Sequence, residues 1–246
     1  MAKRSRPFLV AEEIKNWVVE QGLKPGDRLP AEPELIERFG MSKGTIREAT
    51  RLLEAQGLLK TRTGPGGGAF IHAVSRERAT ALLGNYFYFK DLNIGDLYQM
   101  RILLEPEMAA GLAGNISKDQ IEELRTIVES YNAPPENLDA ERAHHVQSLK
   151  FHGKLAEYAN NELLGFVISF VSRALSDVTL VRGLYEPRNF ELWKFGRDSH
   201  LALIEALSKG DGATARKIML RHMEFAFQQM QNQEFQVNKK FISEAY

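Results

Sequence analysis

The chain has 246 residues, of which 43% are hydrophobic and 26% are charged, and its formal net charge is zero. This length exceeds what one small core usually organises, so two domains are expected. The absence of cysteine excludes disulfides, thiolate metal sites and cysteine nucleophiles, and it fits a reducing cytoplasm. The most apolar stretch, Leu163 to Val171, is far shorter than the ~20 residues that cross a bilayer, so we expect a cytoplasmic protein without a membrane partner.

The charge is distributed unevenly along the chain. Residues 1–78 contain 14 Lys and Arg against 10 Asp and Glu, whereas the remainder contains 18 against 22. A basic first part on a neutral protein suggests that a polyanion binds that part of the chain.

The first part of the chain has the pattern of three helices and a hairpin. Apolar residues at helical spacing predict a helix that ends at Gln21, and a second short helix that follows Pro30 and stops at Gly40. Ser42 is a good N-cap for a third helix, which runs to about Gln56. Short apolar pairs on either side of a glycine-rich run predict a β-hairpin over residues 58–71.

Beyond about residue 75 the helical period dominates, which predicts an all-α bundle without strands. Ser117 with Gln120 has the spacing of a capping box, and Asp211 has the position of a helix cap. The predicted helices span residues 75–89, 94–114, 118–131, 138–159, 162–182, 190–209 and 212–231.

A short helix, a tight turn and a third helix with a basic start form a helix-turn-helix, whose second member enters the major groove of DNA. Basic side chains can donate to guanine or to phosphate, and hydroxyl groups can hold phosphates. The residues at the start of this helix that we expect to face DNA are Ser42, Lys43, Gly44, Thr45 and Arg47. The alternative interpretation is a helix with a solvated basic face.

Two other segments could add DNA contacts. The hairpin tip at Gly66 and Gly67 has the bare backbone that fits a neighbouring minor groove. The N-terminal residues Lys3 and Arg4 could contact phosphates. A surface loop and a solvated arm are the simpler alternatives.

The sequence around these helices resembles a known family. Leu29-Pro30-Ala31-Glu32, Glu34-Leu35 and the run from Met41 to Ala49 are similar to the winged helix-turn-helix of GntR-family transcription regulators. Members usually carry arginine at the positions of Pro33 and Lys43, and the first of these contacts DNA. Pro33 cannot donate a hydrogen bond and Lys43 lacks bidentate geometry, so we expect a different operator preference.

The second part of the chain resembles the FadR-type subgroup of that family, whose C-terminal helical FCD domain binds an effector. The run from Asp96 to Pro106, Phe151-His152, His200 and His222 carry this resemblance. It implies a mainly α fold with a winged helix-turn-helix DNA-binding domain in residues 1–76. It further implies an all-helical effector-binding and dimerisation domain in residues 77–246.

Many members of the subgroup hold a metal ion with one aspartate and three histidines. His152, His200 and His222 match the histidines, whereas Ser148 replaces the aspartate four residues before the first of them. Three neutral imidazoles suit zinc, nickel or another divalent transition metal with open coordination positions. We expect weaker binding than in four-ligand relatives, and core histidines without a metal are the alternative. His144 and His145 lie one to two turns before His152 and could compensate for the missing aspartate, but we expect them on an exposed helix face.

Arginines are the candidate partners of an acidic effector. Arg101 lies in a helix from which relatives point an arginine at the cavity. A structural salt bridge to a glutamate one turn later is the alternative role. Arg173 and Arg197 are further candidates of the same type.

The sequence therefore predicts a homodimeric DNA-binding regulator, and not an enzyme, that binds a short inverted repeat and senses a small carboxylate. Repression that the effector relieves is the commoner direction in the family. One alternative makes the metal itself the signal. A three-histidine metallohydrolase is the other alternative, but no carboxylate beside the histidines marks a general base, and it would leave the basic first part unexplained.

Overall fold

The computed structural model describes residues 4–88, 90 and 92–243. Two compact units make up the chain, residues 1–82 and residues 83–246. The boundary that the sequence predicts, between residues 76 and 77, lies at the first residues of the helix Arg76–Tyr88. The predicted end of that helix at residue 89 falls outside the described residues, as does the candidate DNA contact Lys3.

The first unit contains the three predicted helices, α1 (Arg6–Glu20), α2 (Glu32–Phe39) and α3 (Lys43–Ala55). Helix α2 ends at Gly40, which has a φ of 61° and so adopts the left-handed conformation that glycine tolerates. Ser42 caps α3, because its Oγ accepts a hydrogen bond from the Thr45 backbone N–H at 3.3 Å. The tight turn between α2 and α3 is therefore the turn of a helix-turn-helix.

A two-stranded antiparallel sheet completes this unit. Strand β1 (Leu59–Arg62) pairs with β2 (Gly68–Ile71), with Leu59 opposite Ile71 and Arg62 opposite Gly68. The hairpin packs on the helices through a shared core that consists of Val10, Ala11, Ile14, Leu29, Leu35, Ile46, Ala49, Leu53 and Leu59. This is the winged helix-turn-helix arrangement that the sequence predicts.

The second unit is all helical within the described residues. Its helices are α4 (Arg76–Tyr88, which starts in the first unit), α5 (Ile94–Leu112), α6 (Lys118–Glu129), α7 (Leu138–Glu157), α8 (Glu162–Val181), α9 (Phe190–Ser208) and α10 (Gly212–Ser243). The capping box of Ser117 and Gln120 and the cap by Asp211 are both present. The described helix ends agree with the predicted ones to within two residues, except that α10 continues far beyond residue 231.

Helices α7, α9 and α10 surround the centre of this bundle. Helix α5 packs against α8 and α10, α7 packs against α8, and α10 packs against α9. The core between them includes Phe151, Leu155, Ile204 and Met223. Because this core fixes the three helices against one another, side chains that point inward from them at the same level meet.

Helix α8 is long and apolar enough to cross a membrane, the one such helix in the described chain. It is longer than the apolar stretch noted in the sequence, because helical residues continue to Val181. Ile168, Val171 and Leu175 on one of its faces are buried in the helical bundle. The same length and composition are common in core helices of bundles, so they are weak evidence for a membrane span.

Candidate metal centre and nucleic-acid interface

The N-terminal end of α3 presents two basic side chains to solvent. The side chains of Lys43 and Arg47 are 62% and 57% exposed. Both pair with Glu32 at the start of α2: Arg47 Nε lies 2.7 Å from Glu32 Oε2, and Lys43 Nζ lies 3.5 Å from Oε1. The hydrogen bond and charge of Arg47, with the charge of Lys43, lower the pKa of Glu32. Glu32 thus holds both cations on one side of the helix start.

The other residues of this candidate interface have definite places. Ser42 is exposed and Thr45 is half-buried, and their hydroxyl groups share a hydrogen bond at 2.9 Å. Gly44 follows Lys43 in the first turn of α3. Arg4 is exposed and lies over the ring of Phe8. Pro33 occupies the first turn of α2, where its missing N–H costs no helical hydrogen bond.

The hairpin tip has a conformational need for glycine. A Cβ at Gly67 would lie 2.5 Å from the carbonyl oxygen of Arg62 and 2.8 Å from that of Gly64, so any side chain would force the backbone to move. Gly66 has a φ of 75°, which also favours glycine. The Gly67 carbonyl oxygen accepts a hydrogen bond from Arg28 at 2.5 Å, which ties the tip to the segment between α1 and α2.

Three buried histidines converge in the second unit. His152 on α7, His200 on α9 and His222 on α10 are at most 4% exposed. Their Nε2 atoms lie 3.1 Å apart for the first pair, 3.0 Å for His200 and His222, and 3.3 Å for His152 and His222. Sequence reasoning selected these three residues, and the fold brings all three together.

The opposite ring nitrogens have partners that orient two of the rings. His152 Nδ1 lies 2.5 Å from Glu105 Oε2, and His200 Nδ1 lies 2.6 Å from the hydroxyl oxygen of Tyr131. The Nδ1 of His222 is buried without a partner among the described residues. A carboxylate or hydroxyl behind the ring is the usual support of a metal-binding histidine, since it fixes the tautomer and the ring orientation.

The donor set fits a divalent metal ion. An ion bound to nitrogen at about 2.0–2.1 Å, at angles between about 95° and 109°, separates its nitrogen ligands by about 3.0–3.4 Å, and the three Nε2 atoms have this spacing. Burial lowers the pKa of all three histidines, so they are held in the neutral form that binds metals. With His152 Nδ1–H donating to the carboxylate, its Nε2 lone pair is directed towards the other two rings.

Glu105 links the histidine cluster to Arg101. Arg101 Nε lies 2.5 Å from Glu105 Oε1, and both side chains are almost fully buried. Burial opposes the ionisation of Glu105, but the charge of Arg101 and the contact with His152 outweigh it and lower the pKa to about 2. Arg101 Nε makes the salt bridge to Glu105 that the sequence offered as one role. Its Nη2 is buried without a partner among the described residues, so the other role, contact with an acidic effector, is also compatible with its position.

A cavity of about 50 Å³ opens beside the histidines and is large enough for several water molecules. Its lining consists of Tyr98, Arg101, Tyr131, Glu141, His144, His145, Ser148, Leu149, His152, Leu192, Trp193, Gly196, His222 and Ala226. Ser148 lies one helical turn before His152, as the sequence predicts. Ser148 and Arg101, which the sequence analysis places at this site, both line the cavity.

One face of α7 forms a polar stripe that sequence reasoning missed. Glu141, His145, Ser148 and His152 follow one another at spacings of four, three and four residues, and all line the cavity. The expectation that His144 and His145 lie on an exposed face was wrong, because both line the cavity and His145 Nε2 is 2.9 Å from the Thr179 hydroxyl oxygen. The spacing of four, three and four residues along α7 was the sequence signal that places these polar side chains on one helix face.

Two of the three candidate effector arginines lie elsewhere. Arg173 is exposed on α8. Arg197 pairs with Asp198 and donates to the carbonyl oxygen of Asn132, with its guanidinium over the ring of Trp193. Neither lines the cavity. Of the three candidate arginines, Arg101 is the one that lines the cavity in the part of the chain that the structure describes.

Comparisons with known proteins agree with this architecture. Residues 9–71 match the model of bacterial regulatory proteins of the gntR family, and residues 96–225 match the FCD domain. The chain is 26% identical over 209 residues to the HTH-type transcriptional regulator LutR of Bacillus subtilis, covering 82% of this chain and 90% of that protein.

Two further similarities extend over most of the chain. The Exu regulon transcriptional regulator of Escherichia coli K12 is 28% identical over 219 residues, which cover 87% of this chain and 80% of that protein. A solved structure, Streptococcus agalactiae GntR, has a TM-score of 0.63 and 24% identity, and the match covers 90% of this chain and 99% of the other, which supports the fold. The family models together account for both units. The chain therefore belongs to the GntR family of bacterial transcription regulators, in the branch with an FCD domain, and is a DNA-binding regulator rather than an enzyme.

Proposed function

We propose that the second unit senses a small organic acid through a divalent metal ion held by His152, His200 and His222. The observation that carries this proposal is the convergence of three buried Nε2 atoms within 3.0–3.3 Å of one another. Zinc and nickel are the ions that an all-imidazole donor set suits. When bound, the ion would supply an open coordination position for an oxygen of the acid.

The cavity supports a carboxylate as the effector. Arg101 lines it, carries a buried Nη2 without a partner in the described chain, and is held in place by Glu105. A buried donor of this kind gains most from an anionic acceptor. One similar protein, 25% identical over 228 residues, is named as a putative L-lactate dehydrogenase operon regulatory protein of Escherichia coli, which is consistent with an organic acid as the signal.

We further propose that the protein acts as a homodimer on a short inverted repeat, in the cytoplasm, and represses until the acid binds. Two copies of the first unit would then read two half-sites. The residues proposed to contact DNA are Lys3, Arg4, Ser42, Lys43, Gly44, Thr45, Arg47, Gly66 and Gly67. The acid can change DNA binding only if its affinity differs between the two states of the dimer.

Zinc titration of the chelator-treated protein by calorimetry tests the metal site. Ser148 lines the cavity one turn before His152, so Ser148→Asp places a carboxylate beside the histidines. We expect zinc to bind the wild type and to bind Ser148→Asp at least 10-fold more tightly, since changes behind the ligands alone alter affinity about 10–100-fold. Ser208→Asp, an exposed change on α9, is the matched control. If neither the wild type nor Ser148→Asp binds zinc or nickel, the histidines only line the cavity.

A metal-responsive regulator is the second candidate, because the histidine cluster is complete without an organic ligand. The two functions differ in how DNA binding responds. If zinc alone changes the affinity for a DNA duplex selected by the wild-type protein, the metal is the signal. If zinc leaves that affinity unchanged and an added carboxylate changes it, the acid is the signal.

A further inference from the structure

A groove of about 400 Å³ lies between α3 and the hairpin in the first unit. Arg28, Arg47 and Arg51 bring three cations to its walls, and two carboxylates, those of Glu32 and Glu54, line it as well. Cations on such a surface strengthen the binding of a polyanion, whereas carboxylates weaken it. The contacts of the two glutamates therefore show what each carboxylate does there.

The two carboxylates differ in their partners. Glu54 Oε1 accepts a hydrogen bond from the Thr61 backbone N–H at 2.9 Å, so it fastens α3 to β1 and has a structural role. The contacts of Glu32 in the described part of the chain are with two cations at the start of α3, Arg47 Nε at 2.7 Å and Lys43 Nζ at 3.5 Å. Glu32 thus acts on side chains that are proposed to contact DNA.

The way in which Glu32 holds Arg47 leaves one edge of the guanidinium free. A guanidinium has five N–H donors in one plane, and Glu32 accepts the one at Nε. The two Nη groups at the far end can donate side by side to O6 and N7 of a guanine, which is the commonest specific contact in a major groove. An arginine that is already fixed at its Nε loses less side-chain freedom on binding than an arginine without a partner. Glu32 therefore orients Arg47 for contact with a base.

The charge of Glu32 has a separate effect on contacts with phosphates. The hydrogen bond and charge of Arg47, with the charge of Lys43, lower the pKa of Glu32, so its carboxylate is ionised at neutral pH and offsets part of their positive charge. Phosphate contacts supply essentially all of the affinity for unrelated DNA. The carboxylate consequently weakens binding to every sequence, whereas the oriented arginine strengthens binding to one.

We infer that Glu32 is a specificity-determining residue that does not itself contact a base: it directs the guanidinium of Arg47 towards a guanine and repels the backbone of unrelated DNA. This inference rests on the proposed function, since it takes the start of α3 to lie in the major groove. Its consequence is that the ratio of the affinities for operator and unrelated DNA depends on both the charge and the length of the Glu32 side chain.

Two substitutions of Glu32 separate charge from length. Glu32→Gln removes the charge but keeps an oxygen, whereas Glu32→Asp keeps the charge but is one methylene group shorter and no longer reaches Arg47. Glu34→Gln, which changes an exposed glutamate in the same turn of α2, is the control for a loss of charge alone. Fluorescence anisotropy of the full-length protein over a range of salt concentrations measures the affinity for a duplex selected by the wild type and for a scrambled duplex of the same composition.

We expect Glu32→Gln to bind the scrambled duplex about 3–10-fold more tightly than the wild type, with a slope of affinity against salt concentration that is steeper by about one, because the released cations reach phosphates. Glu32→Asp should bind the scrambled duplex as the wild type does and the selected duplex about 5–10-fold more weakly. The ratio of the two affinities should fall at least about threefold in both variants and should stay within about twofold of the wild-type ratio in Glu34→Gln.

Substitution of each base pair of the selected duplex in turn identifies the contact that is lost. The discrimination that Glu32→Asp loses should be confined to the base pair in each half-site that Arg47→Ala also ceases to discriminate. In protein that already carries Arg47→Ala, adding Glu32→Asp should cause no further loss. Thermal unfolding checks that each variant is folded, and Glu32→Gln carries the test if Glu32→Asp does not fold.

The outcomes distinguish this inference from the proposed function. A wild-type affinity ratio in both Glu32 variants, or an equal fall of the ratio in Glu34→Gln, would overturn the inference while leaving α3 as the DNA contact. Loss of discrimination at a base pair that Arg47→Ala still reads would also overturn it, because Glu32 would then contact a base itself. If Arg47→Ala and Lys43→Ala both bind the selected duplex as the wild type does, the proposed DNA contact fails together with the inference.

Discussion

Glu105 is the residue on which the histidine end of the cavity depends. It is fully buried and joins Arg101 to His152 through its two oxygens, each at 2.5 Å. A buried carboxylate is stable there only because both neighbours compensate for its lost hydration. The same arrangement orients the His152 ring, so the residue connects the positions of the arginine and the histidine.

We expect Glu105→Gln to weaken zinc binding about 10–100-fold, since the amide no longer fixes the tautomer of His152 as a carboxylate does. Tyr131→Phe, which removes the hydroxyl group beside His200, should act in the same direction. Calorimetric titration with zinc measures both effects. Glu107→Gln on the same helix is the control, because Glu107 is exposed and pairs only with Arg216 in the described structure. Unchanged zinc affinity in both variants would contradict the role of these partners.

At the histidine cluster the sequence predicts the metal-ligand candidates but not the side chains that contact them. The identities of His152, His200 and His222 followed from the family resemblance, but the contact of Glu105 with His152 joins residues 47 positions apart. Helical periodicity orients the residues of one helix and gives no information on which faces of two helices meet. Glu141 and His145 lie on one face of a single helix, so helical periodicity could have identified this polar stripe. A polar stripe is, however, also typical of a helix face that water covers.

At the scale of the elements, α2 and α3 cooperate in the proposed DNA contact. Glu32 at the start of α2 pairs with Arg47 and Lys43 at the start of α3, and all three side chains remain accessible to solvent. These pairs are worth little in stability because water screens them. The pairs do restrict the directions of the Lys43 and Arg47 side chains, which favours one arrangement of the proposed contact with DNA over many.

We expect Arg47→Ala and Lys43→Ala each to weaken binding of a DNA duplex selected by the wild type by about 1–3 kcal/mol if the side chain contacts a base. A phosphate contact would instead weaken all sequences alike and reduce the slope of affinity against salt concentration by about one. Fluorescence anisotropy over a range of salt concentrations separates the two. Arg125→Ala, which removes an arginine side chain on α6 that is 41% exposed, should bind DNA as the wild type does. Normal binding by both α3 variants would exclude this helix start as the interface.

The element boundaries were the most predictable part of the fold. Caps such as Ser42, Ser117 and Asp211 mark helix starts locally, because each satisfies a backbone N–H of its own first turn. The predicted end of α10 at residue 231 was wrong, because the helix continues to Ser243 and the chain after residue 231 offers no glycine or proline to stop it. Local signals thus determine where a helix begins more reliably than where it ends.

For the molecule as a whole, the buried histidines make stability depend on pH. Burial and the charge of Arg101 lower the pKa of His145 to about 4, whereas an unfolded histidine titrates near about 6.5. Between these values the unfolded chain binds more protons, so the stabilisation is complete above about pH 6.5 and is lost as the pH falls towards 4. His152, His200 and His222 shift in the same direction.

We expect the chelator-treated protein to lose free energy of unfolding between pH 7 and pH 5, with about 2 kcal/mol of the loss due to His145. Urea unfolding at both pH values measures it. His145→Gln should reduce the difference between the two pH values by about that amount. Ser148→Ala, which removes a polar group from the same face of α7 without removing a titratable one, should leave the difference unchanged. A His145→Gln difference equal to that of the wild type would contradict a neutral buried His145.

The division into two units, each with its own hydrophobic core, predicts that sensing and DNA binding can be separated by mutation. His200 is fully buried among the other two histidines and lies far in sequence from the helix-turn-helix. We expect His200→Ala to lose zinc binding and the response to a carboxylate, while it binds the selected DNA duplex within about threefold of the metal-free wild type. Thermal unfolding followed by near-ultraviolet circular dichroism checks that the bundle remains folded, and His200→Asn, which keeps a polar side chain of similar size, is the second variant. If either folded variant retains the carboxylate response without zinc, the acid is held by Arg101 alone and the histidines do not take part in sensing.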